Sequence, residues 1–151
     1  MSNQYISEDG GLTNEAFVKV AQGLNIIQTA CHARAVAKGW WPEGVERNLG
    51  EQIALMHSEL SEALECYRNS EPYLWYKHAG RAAARYELER VIDINGTKVV
   101  GKPEGLASEF ADVLIRIFDT CAALDIPLTD ALMEKHEYNS TRSHRHGGKL
   151  A

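Results

Sequence analysis

EQIALMHSELSEALE, residues 51–65, decides how this chain is read. At ~100° per residue, Met56, Leu60, Ala63, Leu64 and Tyr67 fall on one arc of a helix, and Leu55 and Cys66 widen that arc on one side. Glu59 lies inside the arc, close to Ala63 and Cys66, while Glu62 sits at its edge beside Leu55 and Glu65 points away. Glu59 and Glu62 are therefore i,i+3 neighbours able to aim at one point, and Gln52 shares their side two turns earlier. An ionised carboxylate turned toward an apolar interior is costly without a partner. The fold has to supply whatever compensates Glu59.

Working outward, Asn48 followed by Glu51 reads as an N-cap with a capping-box partner, opening a helix that runs to about Arg68. Upstream, Thr13 caps a helix in which Phe17, Val20, Ala21, Leu24, Ile27, Ala30 and Cys31 recur at helical spacing, and Gly39 ends it. Residues 1–12 read as a flexible start, and WWPEGVER as a loop broken by Pro42 and Gly44. Residues 69–104 form a less regular insertion. Within it, PYLWYKHAGRAAARYELER reads as a helix with a glycine interruption, and VIDINGTKVV as a β-hairpin around residues 91–100, because Asn95-Gly96 lies between β-forming runs. KPEGLASEFADVLIRIFDTCAALDI is then a strong helix stopping before Pro127, and another begins at Thr129. Residues 140–151 are a basic tail without periodicity. The expected fold is all-α, a single-domain helical bundle over residues 1–151 with a small hairpin insertion, its core completed by dimerisation.

The helix after the hairpin supplies a partner for the carboxylates. Leu106, Phe110, Val113, Leu114, Ile117, Phe118 and Cys121 form its apolar arc, and the remaining stripe holds Ser108, Glu109, Asp112, Arg116 and Asp119. Glu109 and Asp112 are again i,i+3 neighbours. If the two helices pack side by side, Glu59, Glu62, Glu109 and Asp112 converge. A lone Glu-x-x-Glu is usually a solvated face or a salt-bridge partner. Two such pairs on facing helices repel each other unless a cation neutralises them. Hard oxygen ligands on rigid helices suit Mg²⁺ or Mn²⁺. Histidine spacing for zinc and paired cysteine motifs are absent, and His57 points away from Glu59.

Composition excludes several classes. The 151 residues carry a formal net charge of −5, which argues against a general nucleic-acid binder. No segment has the length and apolarity of a membrane span. The Met-Ser-Asn-Gln start has no basic region followed by an apolar run, so no secretory leader is expected. The three cysteines, Cys31, Cys66 and Cys121, are far apart, and the simplest expectation is a reduced, cytoplasmic protein.

SELSE followed by SEFAD resembles the Glu-x-x-Glu and Glu-x-x-Asp pair of the MazG-like, all-α nucleoside triphosphate pyrophosphohydrolases. The resemblance extends to RNLGEQIALMHSELSEALE and to KHEYNSTR, covering about residues 40–68 and 103–149. It implies cleavage of a (deoxy)nucleoside triphosphate between the α and β phosphates, with Glu59, Glu62, Glu109 and Asp112 as catalytic metal ligands. It also implies phosphate contacts from Lys135, Asn139 and Arg142. In the tail, Arg145 and Lys149 either close over the phosphates or belong to a solvated terminus. Trp41 can stack on a base and Asn48 or Gln52 read its edge, the competing roles being a core plug for Trp41 and a helix cap for Asn48.

The ending NSTRSHRHGGK resembles small phage and bacterial members of the family, which implies a deoxypurine substrate, dGTP. A pyrimidine (dUTP or dCTP) or modified-nucleotide pyrophosphatase is the alternative within the resemblance. A non-catalytic helical interaction module with intersubunit salt bridges is the alternative outside it. The family forms dimers and tetramers. Two departures stand out: Ser58 occupies a position where many relatives place another glutamate, and the connection between the motifs is longer than usual.

Overall fold

The computed structural model describes residues 4–79 and 86–143. Its helices are α1 (Asn14–Ala37), α2 (Leu49–Arg68), α3 (Leu106–Ala123) and α4 (Leu128–Ser140). Its strands are β1 (Trp75–Lys77), β2 (Val91–Ile94), β3 (Thr97–Val100) and β4 (Lys102–Glu104), arranged as two antiparallel two-stranded sheets, β1–β4 and β2–β3. The architecture is therefore mixed, helices with two small sheets, and the all-α expectation is corrected.

Two local departures account for the correction. Trp75–Lys77, read from the sequence as part of an interrupted helix, is extended and pairs with Lys102–Glu104 in the register Trp75↔Glu104, Tyr76↔Pro103, Lys77↔Lys102. A further bridge joins Tyr76 to Glu87. The middle of that expected helix, residues 80–85, lies outside the described residues. The helix expected from Lys102 begins instead at Leu106, because Gly105 turns the chain at φ 95° between β4 and α3. A Cβ at Gly105 would meet Pro72 O at 2.6 Å and Trp75 Cδ1 at 3.0 Å, so only glycine permits this approach.

The second sheet is the Asn95-Gly96 hairpin, with register Val91↔Val100 through Ile94↔Thr97. Asn95 and Gly96 both have positive φ, 53° and 81°, as a two-residue primed turn requires. Gly96 N donates to Asp93 Oδ1 at 2.7 Å, and Ile92 is buried.

The chain divides into two compact units, Met1–Pro42 with Phe118–Ala151, and Glu43–Ile117. In the first, Thr13 caps α1 by accepting from Ala16 N. Thr129 Oγ1, on α4, donates to Asn25 Oδ1, on α1, at 2.6 Å. Ala16, Cys31, Cys121 and Met133 are its buried apolar residues. In the second unit α2 is capped by Asn48, and the sheets precede the first part of α3. The buried residues of α2 are Gln52, Glu59 and Ala63. Part of the arc read as the core face is open within the single chain: Ala63 is buried, but Leu60 is 44% exposed, Leu64 46% and Tyr67 71%. Phe110 and Leu114 on α3 are likewise half exposed. Helix α2 thus buries the side that carries its carboxylate. Among the described residues no helix is long and apolar enough to cross a membrane.

Candidate metal centre

The site belongs wholly to the second unit. Asn48 fixes the start of α2 by accepting from Glu51 N at 3.3 Å. Glu59 follows on the buried side of the helix with the exposed Glu62 one turn on, and Glu109 stands in the first turn of α3. Glu59, Glu62 and Glu109 each place one carboxylate oxygen within 4.8 Å of the others. Glu59 and Glu109 are buried and Glu62 is exposed, so the group has a closed side and an open side. Asp112 is not one of this set of three, but Glu59 acts on it electrostatically.

The crowding has a cost visible in protonation. Burial, and then the neighbouring carboxylates of Glu62, Asp112 and Glu59, hold the Glu109 carboxyl above its ordinary range. Loss of surrounding water, and then Glu59, raises Asp112, with Arg116 and Lys102 opposing the shift. Both shifts are of the kind a bound cation would reverse. The donor set is all carboxylate oxygen, which fits Mg²⁺ or Mn²⁺ and not a soft metal.

Arg116 is the residue sequence reasoning left without a role. Its Nε donates to Glu59 Oε1 at 2.7 Å, and its Nη2 lies 2.6 Å from the same oxygen. The pair answers the question posed by the apolar arc, because the buried Glu59 has a guanidinium as counter-charge. The available signal was the stripe Glu109, Asp112, Arg116 at i, i+3 and i+7 on α3. Four carboxylates against this one guanidinium still leave the cluster acidic. Lys102, tied to Glu104 at 2.9 Å, adds a second cation whose charge is felt at Glu109 and Asp112.

A cleft of about 340 Å³ opens beside the cluster, lined by Glu62, Cys66, Trp75, Lys77, Glu104 and Glu109 among others. Sheet β1–β4 therefore contributes a wall to the carboxylate group, through strands that no motif marked. The Trp75 indole is fixed there, donating to Glu71 Oε2 at 3.0 Å and meeting Tyr86 edge-on at 5.1 Å.

The remaining expected site residues are distributed differently. Gln52 is 6% exposed, and its Oε1 accepts from Arg47 Nη1 at 3.5 Å. Asn48 serves as the cap of α2. Trp41 lies in the first unit, where its Nε1 donates to Asp119 Oδ1 at 2.8 Å and Oδ2 at 3.0 Å. Lys135, Asn139 and Arg142 are also in the first unit. Lys135 Nζ lies 5.2 Å from the centre of the Tyr138 ring, and Arg142 follows the end of α4 as an exposed residue. Asn139 lines a cavity of about 630 Å³ with Ser7, Asp9, Phe17 and His136. Arg145, Lys149 and most of the basic tail lie outside the described residues.

Comparison of the chain with protein-family models, with curated proteins and with solved structures gives no match.

Proposed function

We propose that the protein is a metal-dependent (deoxy)nucleoside triphosphate pyrophosphohydrolase resembling the MazG-like enzymes, converting a triphosphate and water to a monophosphate and pyrophosphate. The observation that carries the reading is the meeting of Glu59, Glu62 and Glu109 from two helices within 4.8 Å. Their order and spacing with Asp112 match the motif pair quoted above. Glu59, Glu62, Glu109 and Asp112 would hold Mg²⁺ or Mn²⁺. The metal, when bound, offsets phosphate charge and acidifies a water molecule.

The chain's own groups do the rest. The buried side of α2 excludes bulk water from Glu59, and Arg116 orients that carboxylate through its hydrogen bond to Oε1. With Ser58 in place of a further carboxylate, proton acceptance from the attacking water falls to Glu62, the exposed member of the group. Lys135, Asn139 and Arg142 are proposed as phosphate contacts on the family resemblance alone. A deoxypurine triphosphate, dGTP, is the favoured substrate.

The exposed leucine arc of α2 and the exposed Phe110 and Leu114 of α3 support association with a second copy of the chain, as a dimer or tetramer. The same faces, with Glu59 already paired to Arg116, favour a second reading, a non-catalytic helical interaction module. Incubation with each common NTP and dNTP, with Mn²⁺ or Mg²⁺ and product analysis, separates the two. Monophosphate plus pyrophosphate is the expected result. Diphosphate plus phosphate, or no turnover, rules the proposed reaction out.

A further inference from the structure

We infer that Gln52 reads the nucleobase of the nucleotide whose phosphates the carboxylate group engages, and that it selects bases with a carbonyl at purine C6 or pyrimidine C4, guanine or uracil, over adenine and cytosine, which carry an amino group there. The inference rests on the function proposed above and goes beyond it to a specificity-determining contact.

Three observations carry it. Gln52 is 6% exposed and lies on the same buried line of α2 as Glu59 and Ala63. Its Oε1 accepts from Arg47 Nη1 at 3.5 Å. A guanidinium only donates, so the carbonyl end of the amide is the end turned to Arg47. That leaves Nε2 buried, and it has no acceptor among the described residues. A buried amide donor without a partner is a liability that an apolar side chain of the same size would avoid. Its presence on the buried side of the first turn of α2 points to an acceptor that arrives with a ligand.

Position and chemistry identify that acceptor. Gln52 precedes Glu59 by two turns on one face of α2, a rise of about 10.5 Å. A nucleotide whose phosphates meet Glu59 presents the far edge of its base at a comparable distance. A free glutamine amide offers a donor and an acceptor together, the combination that pairs with adenine. Here the amide oxygen is turned to Arg47, and the group left without a partner is the N–H donor end. Its N–H groups match O6 of guanine or O4 of uracil, and they oppose the amino groups that adenine and cytosine carry at the same places. A site built around one such hydrogen bond discriminates strongly, because the wrong base leaves it unpaired.

The test compares the intact wild-type chain with Gln52→Met, which keeps the volume and removes the amide. Calorimetry with Mn²⁺ measures binding of non-hydrolysable α,β-imido dGTP, α,β-imido dATP and inorganic tripolyphosphate. In Gln52→Met, affinity for the dGTP analogue should fall about tenfold. Tripolyphosphate binding should hold, and the preference for guanine over adenine should disappear. The melting temperature should rise, since a buried unpaired donor is gone; a glutamine with a purely structural role would lower it. If Gln52→Met fails to fold, Gln52→Glu keeps a partner for Arg47 and should lose the guanine preference equally. A wild-type chain that prefers the adenine analogue overturns the inference, as does an unchanged preference in the folded variant. A wild-type chain that takes up neither Mn²⁺ nor tripolyphosphate overturns the carboxylate-site reading itself, and with it this contact.

Discussion

Arg116 reaches Glu59 with two nitrogens on a single oxygen: Nε donates to Oε1 at 2.7 Å and Nη2 stands 2.6 Å from it. The pair leaves the second carboxylate oxygen of Glu59 uncommitted to Arg116. One residue can thus be neutralised by the protein and still contribute to the acidic group with Glu62 and Glu109.

Removing the guanidinium therefore strands a buried charge. Arg116→Met is expected to lower unfolding free energy by roughly 2 kcal/mol, below the ~3–5 kcal/mol typical of a fully buried pair. The discount follows because the Arg116 side chain is 39% exposed and water screens it. Urea denaturation of Arg116→Met, Glu59→Gln and the double variant measures the coupling. The double variant should regain most of the loss, and Mn²⁺ should rescue Arg116→Met more than the wild type. Equal stability of all four proteins would show that the pair contributes nothing.

The raised carboxyls set a pH dependence of unusual sign. Glu109 and Asp112 have folded-state pKa values above their ordinary ones, so between the two values the folded chain holds more protons than the unfolded chain. Stability from these groups then falls as pH rises through that window, and it is regained on acidification until both states are protonated. Without divalent ions, the melting temperature should increase from neutral pH toward the upper end of the carboxylate range. With saturating Mn²⁺, whose ligands must be deprotonated, the slope should reverse. Scanning calorimetry with a chelator and with Mn²⁺ checks both signs, and parallel profiles would count against a metal at this group.

The wall of the cleft depends on one glycine. Gly105 has φ 95°, and its Cβ position is filled by Pro72 O and Trp75 Cδ1. Gly105→Ala is expected to cost about 1–3 kcal/mol from strained backbone, and to separate β1 from β4. Loss of amide protection at Ala107 N, which donates to Tyr73 O at 2.8 Å, would report the separation directly. Preserved protection and unchanged stability would mean that the junction relaxes freely.

What the sequence made legible follows the range over which each signal acts. Helix starts are local, so Thr13 and Asn48 marked α1 and α2, and Asn95-Gly96 marked the hairpin from two residues alone. Strands β1 and β4 were not legible, because Trp75–Lys77 is extended only by pairing with a segment distant in the chain. Periodicity found the carboxylates and placed Glu59 inward beside Ala63, but it gave the same burial to Leu60, Leu64 and Tyr67, which are exposed. A helical wheel ranks sides by composition, whereas α2 buries the side whose glutamate has found an arginine. Partners such as Arg47 for Gln52 and Arg116 for Glu59 are set by packing and leave no pattern of their own.

Asp119 gathers a second polar group, in the unit that holds α1 and α4. Its Oδ1 lies 2.8 Å from His32 Nδ1, both of its oxygens accept from the Trp41 indole, and His32 meets Trp41 edge-on at 5.5 Å. Burial, and then the Asp119 charge, pushes the neighbouring Cys31 thiol up. Asp119→Ala would leave the indole donor and the imidazole nitrogen without this acceptor at once, and is expected to cost about 1–3 kcal/mol. Asp119→Asn retains a carbonyl acceptor and should cost less. Its effect isolates the charge, since the Cys31 thiol should then react faster with a maleimide. The ¹⁵N-indole resonance of Trp41 distinguishes the two variants, broadening or exchanging with solvent in Asp119→Ala and persisting in Asp119→Asn. An indole signal indifferent to both would show that Trp41 is held by its surrounding packing instead of by the carboxylate.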